Sequence, residues 1–372
     1  MGEIQYYRPT KAIIDLRAIQ KNITQLKKHL QPDVQIIAVI KANGYGHGDI
    51  AVAQAALQAG ATILAVATPE EAVHVRSHIA TADILVLGAS PVSFVTYAAE
   101  NNISLTVFSK EWVEQAALFH LTNKLKLHIK IDTGMGRIGV TSIQKLQLLQ
   151  EAIVAAGQME IDGVFTHFAT ADEENTGHFE QQVELFHDML KVLAVKPRII
   201  HVANTATVLV KDKSLQYDAI RFGISMYGLA PSHYVAKYLP FPLKPALSLE
   251  TELVHVKELA AGQTVGYGAT YTAEEDVFIG TLPIGYADGL LRKLTGQTVL
   301  IDGQRAPIVG RICMDQCMIL LPKAYTVGEK VTLIGTQQNV TISLDEWANK
   351  LETINYEIPC IITNRVPRIY TS

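Results

Sequence analysis

Cysteine is scarce here: Cys313, Cys317 and Cys360 are the three in 372 residues. An odd, small number excludes a disulfide framework and fits reduced thiols in a reducing compartment. No His pair lies near Cys313 and Cys317, so they read as small buried hydrophobes rather than zinc ligands, and no metal is expected. Charge of one sign is also lacking. The net charge is −4 with no basic block, which argues against a nucleic-acid partner. No run of about eighteen apolar residues escapes a charge or a turn signal, so no membrane span is expected. The N-terminal MGEIQYYRPTK lacks the apolar core of a signal peptide, and Tyr6 stands where myristoylation needs Ser or Thr. The expected location is the cytoplasm.

What is present is a large hydrophobic fraction, 48%, in a chain long enough for two domains. Its most informative stretch is residues 34–49, VQIIAVIKANGYGHGD. The apolar run Ile36 to Ile40 reads as a strand buried on both faces. It stops at Lys41, and Asn43, Gly44, Gly46 and Gly48 break its continuation. A lysine at a strand end is either a snorkelling surface charge or a group held in a pocket. The Gly-rich loop, with Tyr45 and His47 as donors, favours the pocket, since glycines let backbone approach a ligand. A desolvated lysine near other cations loses its proton more easily and attacks carbonyls, which is the chemistry of a Schiff base.

Taken in order, the chain alternates. Asp15 caps a helix to about Leu30 with Ile19, Ile23 and Leu26 on one face. After the lysine strand come the strands TILAVA, DILVLGA, SLTVF, LKLHIKID, IDGVFTHF, RIIHVAN and YDAIRFGIS, separated by helical segments. Eight βα units within roughly the first 230 residues predict a parallel (β/α)8 barrel of TIM type, over 11–240. Pro231, Pro240, Pro242 and Pro245 mark a linker. Beyond it the period falls to two, predicting a mainly antiparallel β domain over 241–372, with residues 1–10 packed on it. Within it PCIITNRV reads as a strand and LDEWANKL as the one helix.

Functional groups of such a barrel sit at the C-terminal ends of its strands. There the sequence places Lys41, then Lys130 and Asp132 with Arg137 in the following loop, then His167, then Asn204 and Thr205, then Arg221 with Gly223, Ile224 and Ser225. Each has a bland reading: Lys130 and Asp132 as an exposed ion pair, His167 as a core histidine, Asn204 as a helix cap, Arg221 as a structural ion pair. A capped helix N-terminus also binds phosphate, and the loops after the last two strands commonly do so in barrels. GMGRIG, from Gly134 to Gly139, matches a dinucleotide fingerprint, but it neither opens a first βαβ unit nor meets an acidic residue at the next strand's end. In the second half, VGYGATY presents Tyr267 between glycines, and GYADG and RICMDQCM carry Tyr286, Arg311 and Met314.

AVIKANGYGHG, KIDTGMGRIG, HVANT, RFGISMYG, VGYGATY, GYADG, CMDQCM and NYEIPC together, in this order, resemble the alanine racemase family over essentially the whole chain. The resemblance implies pyridoxal 5'-phosphate (PLP) as cofactor, bound to Lys41 as a Schiff base. Tyr45, Thr205, Gly223, Ile224 and Tyr356 would contact its phosphate, with Asn204 beside them. Arg221 would face the pyridine nitrogen and His167 the ring. Tyr267 would be the second acid–base group, supplied by the partner subunit of a homodimer with shared active sites. Arg137 and the partner subunit's Met314 would hold the substrate carboxylate. Lys130 resembles the family's carbamylated lysine, and Asp172, Tyr286, Arg292 and Arg311 would line the entryway. Thr205 departs from a frequent Ser but keeps the hydroxyl.

The expected activity is the interconversion of L-alanine and D-alanine, supplying D-alanine for peptidoglycan. A racemase for serine or for many amino acids is the nearest rival. A non-catalytic PLP-binding barrel would lack the β domain with Tyr267. A basic amino-acid decarboxylase would lack VGYGATY in this form, and a dinucleotide oxidoreductase would retain NAD rather than PLP.

Overall fold

The computed structural model describes residues 5–194 and 196–372. Residues 1–4, part of the segment expected to pack on the β domain, lie outside them. The chain divides into two compact units. One holds Arg17–Gly44 and Asp49–Pro245; the other gathers the described residues up to Leu16, Tyr45–Gly48 and Ala246–Ser372.

The first unit is the barrel. After β1 (Lys11–Asp15), which belongs elsewhere, its strands are β2 (Gln35–Val39), β3 (Ile63–Val66), β4 (Asp83–Val86), β5 (Ile103–Val107), β6 (Leu125–Lys130), β7 (Met159–Phe165), β8 (Ile199–His201) and β9 (Ala219–Phe222). Neighbours are parallel in sequence order, and β2 pairs with β9. Between β8 and β9 the ring closes through backbone bonds, Asp218 N–H to Ile200 O and Arg221 N–H to Ala203 O. The strands are short apolar runs because both faces are covered: every residue of β3 and β5 is buried. The helix Leu16–His29 follows Asp15 and buries Ile19, Ile23 and Leu26, as the 3.6-residue period predicts. The helix Pro69–His78 opens with a capping box, Thr68 accepting from Glu71 N–H, and with Pro at its first position.

The second unit is built on a ten-stranded, mainly antiparallel sheet. The structure puts β1 in it, not in the barrel that the sequence reading starts at residue 11. Lys11–Asp15 pairs antiparallel with Leu247–Glu252 and parallel with Arg368–Thr371. Its alternation, with Ala12 and Ile14 buried, is the signature of a sheet with one covered face. Cys317–Leu321 is a strand that the sequence reading did not delimit. One further segment differs from expectation. PCIITNRV is no strand: Glu357–Ile361 is a short helix carrying Pro359, whose missing N–H costs nothing in a first turn, and the strand begins only at Arg368.

Candidate active site

Because all eight barrel strands run the same way, their C-terminal ends share one mouth. Lys41 stands two residues past β2, Lys130 is the last residue of β6, and His167 lies two past β7. Arg137 is on the loop after β6, and Arg221 lies in β9. Lys130 and Arg221 are buried, at 3% and 4% exposure. Burial pulls the Lys130 pKa down to about 7, and Arg221, Arg137 and Lys41 push the same way, Asp132 only partly opposing them. Burial likewise carries His167 well below its usual range, aided by the same four cations, so its ring is neutral. Arg221 is lowered to about 9 by burial and by Arg137, and remains a cation at neutral pH. The mouth thus concentrates positive charge, a setting that fits an anionic ligand with a phosphate and a carboxylate.

The segment after Lys41 is wound with the wrong hand for L-residues. Ala42, Asn43 and Gly44 have φ of 53°, 53° and 60° with ψ near 50°, and Tyr45 has φ of 50°. Such backbone costs roughly 1–2 kcal/mol per non-glycine residue, so it persists only where held. Asn43 Oδ1 accepts from Asp49 N–H at 3.1 Å. Glu71, which sequence reading did not single out, accepts from Ala42 N–H at 2.7 Å.

Lys130 and Asp132 are not an exposed pair. Lys130 lies over the Phe165 ring, 4.8 Å from its centroid. The Asp132 carboxylate accepts from Gly134 N–H at 3.0 Å and Gly136 N–H at 3.1 Å. The glycine loop is therefore tied down by its own aspartate, and the amides a dinucleotide phosphate would need are occupied.

Arg221 makes no ion pair among the described residues. Nη1 donates to His201 O at 2.6 Å and Nδ1 at 2.8 Å; Nη2 donates to Thr166 O at 2.8 Å and Val202 O at 3.0 Å. Its fork is fixed by carbonyls and one imidazole, and His167 Nδ1 lies 3.5 Å from Nη2. His201 was not singled out in the sequence, where it reads as one more residue of RIIHVAN.

Asn204 caps the helix Thr205–Val210, accepting from Thr207 N–H at 3.0 Å and Thr207 Oγ1 at 2.9 Å while donating to Phe168 O at 3.2 Å. Both ends of its amide are thus engaged in structure. Thr205 Oγ1 accepts from Gly223 N–H at 2.9 Å, which brings Thr205, Gly223 and Ile224 together. Asp172 is held by its backbone, its carbonyl accepting from Ser232 Oγ at 2.8 Å.

The second unit carries the remaining candidates. Tyr45 is buried, which raises its phenol pKa, Cys360 adding to the effect; its ring lies 6.3 Å from that of Tyr356. His47 Nδ1 lies 2.9 Å from Tyr45 O. Tyr267 sits on a loop over Arg311: a Cβ on Gly268 would come within 3.1 Å of that guanidinium. Tyr267 is 72% exposed and Met314 52%. Tyr286 and Ala287 donate their N–H groups to Cys313 O and Met314 O, each at 3.0 Å, so the GYADG and CMDQCM segments lie backbone to backbone. Arg292 opens a short 3-10 turn on the surface.

Residues 14–231 match the family model for the alanine racemase N-terminal domain, and 246–370 that for the alanine racemase C-terminal domain. An alanine racemase of Anoxybacillus flavithermus is 51% identical over 371 residues, 99% of this chain and 96% of the relative. The crystal structure of alanine racemase from Bacillus anthracis with bound L-Ala-P superposes with a TM-score of 0.96 at 46% identity, covering 99% and 96% of the two chains. A histidine racemase from Leuconostoc mesenteroides has a TM-score of 0.93 at 32% identity, covering both chains fully.

Proposed function

The chain belongs to the alanine racemase family, and on that premise we propose how its residues divide the work. Its activity is the interconversion of L-alanine and D-alanine, and the family depends on PLP. The observation that carries the site assignment is the group of Lys41, Lys130, Arg137 and Arg221 near one another at the barrel mouth, around a neutral His167. That donor set fits PLP: Lys41 would hold its carbonyl carbon, and Thr205 with the Gly223 and Ile224 backbone its phosphate. Tyr45 and Tyr356 are assigned to the phosphate by resemblance alone. When bound, the cofactor supplies the electron sink for the pair left as the α-proton departs.

Racemisation removes that proton from one face and returns one on the other, so it needs two bases. Lys41 Nζ serves one face. Tyr267 Oη serves the other, supplied by a second copy of the chain; its exposure on the protomer supports a role completed by docking. Arg137 binds the substrate carboxylate, with the partner subunit's Met314 against it. Arg221, a cation that cannot accept a proton, keeps the pyridine nitrogen unprotonated, which restrains the sink and limits transamination.

Lys130 supports a further step of assembly. An amine with pKa of about 7 has an appreciable neutral fraction at physiological pH. Its lone pair can attack carbon dioxide, releasing one proton and leaving a carbamate anion. That would reverse one charge in a crowded cationic site and give Arg137 a partner. Asp172, Tyr286, Arg292 and Arg311 line the approach in this reading. No helix among the described residues is long and apolar enough to cross a membrane, and we place the protein in the cytoplasm, supplying D-alanine for peptidoglycan.

Borohydride reduction followed by peptide mapping tests the centre of this reading. A phosphopyridoxyl adduct on Lys41, with D-alanine formation abolished by the reduction, is expected. An adduct without prior racemisation would move the reading to a PLP-binding protein or a decarboxylase. No adduct on protein supplied with PLP would refute it.

A further inference from the structure

The hydrogen bonding of Arg221 does not stop at its first neighbour. Its Nη1 lies 2.8 Å from His201 Nδ1, and His201 Nε2 lies 2.9 Å from His128 Nδ1. His128 Nε2 lies 3.2 Å from Asp162 Oδ2. Arg198 ends the line, its Nε and Nη2 each 2.7 Å from one Asp162 oxygen. His201 is 0% exposed, His128 2% and Asp162 6%.

The ends of this line fix every proton in it. A guanidinium only donates and a carboxylate only accepts. Burial keeps both rings neutral by lowering their pKa values, so each imidazole carries one N–H. Arg221 must donate to His201 Nδ1, His201 Nε2–H to His128 Nδ1, and His128 Nε2–H to Asp162. No other assignment makes all three bonds.

The backbone is built around this line. In the pairing of β6 with β7, Leu127 faces Ile161 and His128 faces Gly163, so Asp162 is the extra residue of a β-bulge. A Cβ on Gly163 would lie 2.3 Å from His128 Nδ1, so glycine is what lets the ring occupy that place. Phe165 stacks on His201 with an interplanar angle of 10°.

We propose that Asp162 is a positioning residue for Arg221, acting through His128 and His201. It orients both rings and polarises them toward Arg221. The arginine is thereby stabilised as a cation by a carboxylate three hydrogen bonds away, on the far side from the mouth. No anion need stand beside the cofactor ring to balance it. The consequence for the cofactor rests on the racemase reading; the proton assignment does not.

Nitrogen-15 spectra of histidine-labelled holoenzyme read the assignment directly. His128 and His201 are expected as neutral Nε2–H tautomers; an Nδ1–H form or a doubly protonated ring at either position overturns the inference. Asp162→Asn is expected to shift the nitrogen signals of both rings and to lower kcat about tenfold with KM changed less than about twofold, as loss of one charged partner predicts. Asp162→Glu should recover part of both effects. An unmoved His201 or an unchanged kcat overturns the positioning role. If Asp162→Asn does not fold, Arg198→Met at the half-exposed end takes its place. A smaller shift of the same sign at both rings is expected, and a shift confined to His128 counts against the proposal. Wild-type protein with these tautomers but no alanine racemisation would sink the racemase reading and leave the proton assignment standing. An active racemase with other tautomers would do the reverse.

Discussion

Glu71 Oε1 accepts the backbone N–H of Ala42 at 2.7 Å, while its Oε2 accepts that of Ala67 at 2.7 Å. One carboxylate thus ties the turn after the candidate cofactor lysine to the next strand–helix loop. Glu71→Ala removes both bonds and the capping-box acceptor. We expect a loss of about 2 kcal/mol in denaturant unfolding and a lower yield of reduced adduct on Lys41. Unchanged stability together with unchanged yield would show that the turn holds itself.

Lys130 makes stability depend on pH in a defined direction. Its pKa is about 7 in the fold against 10.5 for an ordinary lysine, so between those values the unfolded chain binds more protons. Stability should therefore rise with pH across that window, and the penalty should be full below it. In carbon dioxide-free buffer Lys130→Met should stabilise the fold at pH 6, by about 5 kcal/mol, and hardly at all at pH 10.5. Equal effects at both pH values would rule out a buried, destabilised amine.

Arg221 restrains the electron sink in our reading. Arg221→Glu is expected to lower racemisation and to raise pyruvate formation from alanine. Pyruvate measured at wild-type levels, in a variant that still binds PLP, would remove that role from the arginine.

The shared site can be tested by complementation. Lys41→Ala and Tyr267→Phe homodimers should each be nearly inactive. Mixed after dissociation, half of the dimers are heterodimers, each with one intact site, so about a quarter of wild-type activity should return. No recovery, with heterodimers shown to form, would place Lys41 and Tyr267 of one site on the same subunit.

Much of the barrel is legible in the sequence because its strands are covered on both faces and so appear as apolar runs such as Ile63–Val66. A polar residue closing such a run stands out, which is how Lys41, Lys130 and His167 can be found; Arg221, inside its strand, stands out as a charge in an otherwise apolar run. The same logic hides His128, Asp162 and His201. His128 and Asp162 lie inside the runs, and His201 is followed by apolar Val202 and Ala203, so a satisfied core group and a member of a relay look alike there. The bulge at Asp162 adds one residue to β7 without altering its composition. Glu71 is hidden differently: a Glu in the first turn of a helix reads as a cap, and its second bond, to Ala42, joins residues 29 apart. The placement of β1 is hidden because five residues are too few to say which sheet they join, and only its pairing partners on either side, Leu247–Glu252 and Arg368–Thr371, decide.

That pairing sets an order of events during synthesis. Among the described strands Lys11–Asp15 leaves the ribosome before the others, and Arg368–Thr371, against which it lies, leaves after them. At about 5–20 residues per second, tens of seconds separate them. Residues 17–245, which contain the whole barrel, emerge in between and can fold as a body while the first strand has no partner. A nascent chain therefore carries a short unpaired strand edge until Leu247–Glu252 appears, and its second sheet can close only after Arg368–Thr371 has emerged.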